Sequence, residues 1–209
     1  MKVNEIFFSL QGEGLYIGVP MAFVRFTGCN LKCTWCDTKY AWEEGSEMSM
    51  DDIISEVKKY PTNWVCLTGG EPLLQKDIYK LIDKFLSMDY MVLVETNGSI
   101  SIEDIPCEEN VIIDMDIKTP SSGMSQFNDY SNIEMLGSKD YVKFVIQDDV
   151  DYNFMKDILK NYEFKCEAIA QPEGNKNLKY IAEKVISDGL KLRVLPQLHK
   201  IIWGDKHGV

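Results

Sequence analysis

Histidine is nearly absent from this 209-residue chain, which carries only His199 and His207 and so has few imidazoles for a closed zinc site. No apolar run approaches the roughly 20 residues that a membrane-spanning helix needs. The first residues, Met1 to Glu5, hold one basic side chain with no long apolar stretch behind it, so a secretory leader is not expected. Basic charge is also short. The 22 Lys and Arg residues face 33 Asp and Glu, a formal net charge of −11. Such a surface repels a phosphate backbone, which argues against nucleic acid or a membrane and for a small-molecule substrate in the cytoplasm. No Pro/Gly-rich linker, repeat or low-complexity block divides the sequence, so residues 1–209 are read as one domain. Hydrophobic residues at 45% are ample for a buried core. Six cysteines in a chain read as cytoplasmic point to metal or redox chemistry rather than a disulfide framework.

Short apolar runs rich in β-branched and aromatic residues recur at Ala22–Phe26, Trp64–Leu67, Met91–Val94, Val111–Met115, Tyr141–Ile146, Ala168–Ala170 and Leu190–Val194. Helical period marks Met50–Tyr60, Ile78–Met88, Val150–Tyr162 and Leu178–Ser187. Near-continuous apolar strands alternating with helices predict a parallel sheet covered by helices. The alternation lapses twice. Asn97–Asn110 is too short and polar for a crossover helix, and Thr119–Lys139 reads as loop with at most a short helix. The expected fold is therefore α/β, a partial, irregular (βα)6-type barrel with some crossover helices shortened or missing.

Cys29, Cys33 and Cys36 lie within eight residues, just after the first of these strands. Three thiolates so close together suit an iron–sulfur cluster with one iron left open. Structural zinc is the competing reading, but it normally closes with a fourth protein ligand. Cys66, Cys107 and Cys166 receive no role; a free cysteine in an apolar strand usually packs as a small hydrophobe. Polar clusters also stand where strands end: Thr68-Gly69-Gly70-Glu71-Pro72, Glu95-Thr96-Asn97-Gly98, Asp116-Ile117-Lys118-Thr119 and Gln171-Pro172-Glu173-Gly174. Functional groups of parallel α/β folds collect at such ends. Free N–H groups at the two glycines can hold a ligand carboxylate, although the stretch taken alone reads as an ordinary strand-to-helix turn.

The CxxxCxxC loop, with Trp35 before its last cysteine, resembles the radical S-adenosylmethionine (SAM) signature. The GGEP stretch at Gly69–Pro72 resembles that superfamily's SAM-binding turn. Ser9-Leu10-Gln11-Gly12-Glu13-Gly14, Cys36-Asp37-Thr38 and Gln197-Leu198-His199-Lys200 narrow the resemblance to the 7-carboxy-7-deazaguanine synthase family, along the whole chain. That resemblance implies a [4Fe–4S] cluster on Cys29, Cys33 and Cys36, with SAM cleaved to a 5′-deoxyadenosyl radical. It implies SAM contacts at Trp35, Cys36, Asp37, Gly70, Glu71 and Glu95, at Asp116, Ile117 and Lys118, and at Gln171, Pro172, Glu173 and Gly174. It implies Mg2+ at Thr38, and substrate contacts at Leu10, Gln11, Gly12, Glu13, Arg25, Thr68, His199 and Val209. The implied reaction is the ring contraction of 6-carboxy-5,6,7,8-tetrahydropterin to 7-carboxy-7-deazaguanine with loss of ammonia, a lyase step in queuosine and 7-deazapurine biosynthesis that feeds tRNA modification. An electron donor such as a flavodoxin or ferredoxin and a homodimer come with it. A bland reading stands beside several of these residues. Arg25 can pair with an acid, Thr38 can cap a turn, and His199 can be a packed core residue. A glycyl-radical-enzyme activase shares the cluster and GGEP, and a zinc-stabilised binding module remains the non-enzyme alternative.

Overall fold

A computed structural model describes all residues, Met1–Val209. The strands are β1 (Lys2–Leu10), β2 (Pro20–Phe26), β3 (Ser46–Glu47), β4 (Trp64–Gly69), β5 (Met91–Thr96), β6 (Val111–Asp116), β7 (Tyr141–Ile146), β8 (Glu167–Pro172) and β9 (Arg193–Val194). They form one sheet in the order β3-β1-β2-β4-β5-β6-β7-β8-β9. From β2 to β9 every neighbouring pair is parallel, whereas β1 runs antiparallel to β2 and β3 antiparallel to β1. The two ends of the sheet do not pair, so the sheet is open and not a closed barrel. The expected α/β class with an irregular, partial barrel holds.

Helices α1 (Met50–Val57), α2 (Ile78–Leu86), α4 (Asp149–Asn161) and α5 (Leu178–Asp188) follow the predicted periodic segments within a few residues. Local chemistry starts them. Ser49 caps α1 in a capping box with Asp52, and the Asp148 carboxylate accepts from the first amides of α4. Residues 97–110 contain no helix, and the long segment before β7 carries only short 3-10 turns and the four-residue α3 (Asn132–Met135). A last helix, α6 (Leu198–Trp203), was not expected. Nor was β1, whose apolar run is broken by Asn4, Glu5 and Ser9 and whose pairing shifts register between Val3 and Glu5. Of the predicted Leu190–Val194 strand only Arg193–Val194 forms, because it pairs on one side alone, at the sheet edge.

The two faces of the sheet divide the work. One face, including Val24, Leu67, Val94, Ile113, Phe144 and Ala170, packs against Ile53, Phe85, Met155 and Ile181 of the helices in the main core. The other face begins apolar, with Met21, Phe23, Cys66, Leu93, Ile112, Tyr141 and Ile169 in one cluster. Side chains alternate along a strand, so the next inward positions are two residues further on. They are Arg25, Thr68, Glu95, Asp114, Lys143 and Gln171, a polar layer at the carboxyl ends of the parallel strands.

Candidate active site

That polar layer floors a cavity of about 520 Å³, within the usual range for a small-molecule cleft. The loop after β2 forms one wall and brings Cys29, Cys33 and Cys36 to the cavity, all half-buried and free of disulfides. The Cys29 sulfur receives the Leu31 N–H at 3.4 Å and the Asn97 amide at 3.7 Å. Burial pushes the Cys29 and Cys33 thiols above their ordinary range. A metal deprotonates a coordinating thiol outright. Three converging sulfurs, N–H donors beside one of them and no fourth protein thiol in the cavity fit a cluster with an open iron.

The glycine pair explains how the loop is seated. A Cβ on Gly70 would stand 2.0 Å from the Gly28 carbonyl oxygen, so only glycine lets the cysteine loop lie this close. The Gly70 N–H donates to Phe26 O and the Glu71 N–H to Gly28 O. The Gly70 and Glu71 N–H groups are therefore not free to hold a ligand carboxylate. They bind the loop, and the glycines serve backbone-to-backbone packing. Glu71 is wholly buried and its side chain does not reach the cavity. Its carboxylate accepts from Leu73 N, Thr96 Oγ1 and Asn97 N at 2.7–3.0 Å, tying the turn after β4 to the end of β5. Burial raises its pKa to about 7 against the pull of those donors.

The Gln11–Val19 turn enters from the opposite side. Gln11 spends both backbone groups inside its own turn, on Val19 and Gly18, and its buried side chain donates to Glu95 at 2.9 Å. Its backbone N–H is thereby spent and its carbonyl keeps one lone pair, and Gln11 is not among the residues that line the cavity. The Gly12 N–H makes no protein hydrogen bond; Leu10 and Gly12 line the cavity. Gly12 is tight against His199, where a Cβ would meet Nδ1 at 2.2 Å. Thr68 donates to the other Glu95 oxygen at 2.5 Å. Glu13 carries the strongest constraint. Its two oxygens accept from Lys143 Nζ at 2.6 Å and Gln197 Nε2 at 2.7 Å. Burial opposes its ionisation, but the Lys143 charge and then His199 outweigh it and hold its pKa well below the ordinary carboxylate range.

Arg25 does pair with an acid, through Nε to Glu5 at 2.8 Å, yet its terminal amino groups make no protein hydrogen bond and it lines the cavity. Thr38 stands at the N-cap of the 3-10 turn Lys39–Trp42, but its hydroxyl makes no cap hydrogen bond and lies 3.6 Å from the Cys36 sulfur. Trp35 and Asp37 line the same wall, and ligand atoms of Asp37, Glu13 and His199 lie within 4.8 Å of one another. At the ends of β6 and β8, Asp116, Lys118, Gln171, Glu173 and Gly174 face the cavity. Asp116 is ion-paired to Lys118 at 2.8 Å. Ile117 instead sits in the helix-side core, and buried Pro172 is not part of the lining. The C-terminal arm closes the mouth, with Leu198 N on Gly12 O and the His207 ring stacked 4.1 Å from Tyr40. Val209 is among the lining residues.

Four contributors escaped sequence reasoning: Asp114, Lys143, Gln197 as a side chain, and the Glu5–Tyr40 pair beside Arg25. The signal for the first two was present as lone charges within apolar strands, where a buried charge needs a partner.

Comparison with known proteins gives the family. Residues 23–122 match the profile of the Radical SAM superfamily. The chain is 42% identical over 209 residues, all of both chains, to the 7-carboxy-7-deazaguanine synthase of Thermoplasma acidophilum. It is 39% identical to that of Methanospirillum hungatei, covering 97% of this chain and 85% of the relative. The crystal structure of QueE from Escherichia coli superposes with a TM-score of 0.79 at 24% identity, over 95% of this chain and 94% of the other, which supports the fold.

Proposed function

The chain belongs to the 7-carboxy-7-deazaguanine synthase family of the radical SAM superfamily, and we propose that it contracts 6-carboxy-5,6,7,8-tetrahydropterin to 7-carboxy-7-deazaguanine with loss of ammonia. The observation that carries this reading is one cavity lined by three free thiols, an anchored Glu13 and an Arg25 with open terminal amino groups. Cys29, Cys33 and Cys36 would hold a [4Fe–4S] cluster, which together with SAM would supply the radical chemistry of the reaction. The chain's own residues bind and orient. Glu13, ionised, accepts the amide and amino N–H groups of the pterin edge, and the unpaired Gly12 N–H adds a donor beside it. The outer amino groups of Arg25 take the substrate carboxylate. Thr38 would offer its hydroxyl to a Mg2+ ion, which keeps most of its water and needs few protein ligands, and whose charge would favour the substrate carboxylate. The carbonyls of the Gly69–Glu71 turn are what that segment offers to the ammonium of SAM. Asp116 and Lys118, with the β8 end at Gln171, Glu173 and Gly174, serve its remaining polar groups.

We read the chain as one functional unit, in the cytoplasm, acting as a homodimer with a flavodoxin- or ferredoxin-type reductant. The test is anaerobic incubation with SAM, a chemical reductant, Mg2+ and the carboxytetrahydropterin, followed by product mass. Deuterium on the carbon bearing the carboxylate should appear in recovered SAM, with many products formed per SAM consumed. Stoichiometric SAM consumption without a deazaguanine product overturns the reading in favour of an activase.

A further inference from the structure

Glu13 stands on the turn between β1 and β2, outside regular structure, yet both its oxygens are fixed from distant parts of the chain. Lys143 lies 130 residues away on β7, and Gln197 lies 184 residues away on the C-terminal arm. The Lys143 side chain is only 6% exposed. Asp114 at 3.3 Å and Asp116 at 3.5 Å hold its ammonium from the β6 side, opposite Glu13. Its neighbours along the same strand face are Tyr141 and Val145, so β7 needs no charge for packing. A charge is expensive to bury without partners, and here three carboxylates from two elements surround it. His199 of α6 and Asp37 of the cysteine loop also stand beside Glu13, with ligand atoms within 4.8 Å of one another. Gln197 is in turn pinned by Asn175, whose Oδ1 accepts its N–H at 2.6 Å.

We propose that Lys143, with Gln197, is a positioning residue that presents Glu13 as a fixed, ionised acceptor, so that the cavity selects heterocycles whose edge carries two adjacent N–H donors. An ionised carboxylate offers only acceptors, and two of its lone-pair sites are already filled. What remains matches an amino group beside a ring N–H. A 2-oxo edge offers one donor and one acceptor, and its carbonyl meets the carboxylate lone pairs in repulsion. Sites built to pair with one pattern reject an analogue that leaves buried polar groups unmatched. This inference rests on the proposed function for its ligand class, and it adds the element that sets edge specificity.

The experiment uses anaerobically reconstituted holoenzyme with SAM, and reads equilibrium binding of 6-carboxypterin and its 2-oxo counterpart, 6-carboxylumazine. Wild-type protein should favour the pterin by at least about tenfold. Lys143→Met should weaken pterin binding about tenfold and reduce the preference to within about threefold. Lys143→Arg should restore most of it, and iron content and SAM affinity should not change in either. Where Lys143→Met does not fold, Gln197→Leu carries the same readout from the other oxygen. A Lys143→Met protein with the full wild-type preference overturns the inference, as does one that loses iron and SAM affinity in parallel, which marks a structural role. Wild-type protein that binds neither probe overturns the function reading, and this inference with it.

Discussion

Replacing Glu71 by Ala should destabilise the fold in a pH-dependent way. The carboxylate accepts from two backbone N–H groups, Leu73 and Asn97, and from the Thr96 hydroxyl, with no exposure to water. The hydroxyl can turn elsewhere, but the two amides stay buried, each costing about 1–3 kcal/mol unpaired. The loss is therefore about 2–6 kcal/mol near pH 5. Burial has raised the folded-state pKa to about 7 from 4.5. A raised acid binds its proton more tightly when folded, so its stabilising contribution is present below pH 4.5 and is lost as pH rises through 7. Between pH 5 and 8 that amounts to about 2–3 kcal/mol taken from the wild type and not from the variant. The difference between the two should accordingly shrink by that amount at pH 8. Urea unfolding of the metal-free, reduced chain, followed by circular dichroism at both pH values, measures it. Glu103→Ala, at an exposed position, serves as the control. A loss under about 1 kcal/mol at pH 5, or an equal loss at both pH values, refutes the reasoning. Because Asn97 also reaches the Cys29 sulfur, the variant should bind iron less firmly after reconstitution.

The remaining predictions concern the cavity wall. Cys33→Ala should lower reconstituted iron from about four per chain and abolish SAM cleavage, whereas Cys107→Ala, on the exposed surface, should do neither; full activity in Cys33→Ala refutes the cluster assignment. Thr38→Ala should raise the Mg2+ concentration needed for half-maximal turnover while SAM binding stays the same, and an unchanged magnesium response makes the hydroxyl structural. Arg25→Ala leaves Glu5 with only the Tyr40 hydroxyl and removes the partner proposed for the substrate carboxylate. Productive turnover should fall by about two orders of magnitude or more, with uncoupled SAM cleavage surviving; a fall of less than about threefold in kcat/KM counts against the role.

Much of the architecture was legible because the parallel strands are buried on both faces and so stand out as apolar runs. Tyr141–Ile146 was read with its true bounds, and the helices came within a few residues. What stayed hidden was paired differently. β1 lies antiparallel and carries polar residues among its apolar ones, so no unbroken run announces it. The predicted Leu190–Val194 strand shrank to two residues because Lys191 and Arg193 are exposed and only one neighbour supplies hydrogen bonds. The glycines of the GGEP turn stood out in the sequence, but their packing against the Gly28 carbonyl did not. A sequence reports that a Cβ is missing, but not whether a ligand or another loop fills the space.

The site shows the same division. Residues in short local motifs, such as Cys29 to Thr38, could be found because their chemistry is written in consecutive letters. Lys143, Asp114 and Gln197 could not, because their meaning depends on distant partners: Glu13 meets Lys143, 130 residues away, and Gln197, 184 residues away, only after the sheet has formed. Period-two alternation carries the missing step. Once Tyr141 is placed inward, Lys143 must follow it to the same face, and once Ile112 is inward, so is Asp114. An apolar residue followed two positions later by a charge, repeated on adjacent parallel strands at Leu93 and Glu95, Ile112 and Asp114, and Tyr141 and Lys143, marks where the core ends and the cavity floor begins. Charges at that boundary can persist only by pairing with one another or with a ligand, because each is taken from water without leaving the fold. In this chain the pattern predicts the polar layer from strand register alone, with no motif required.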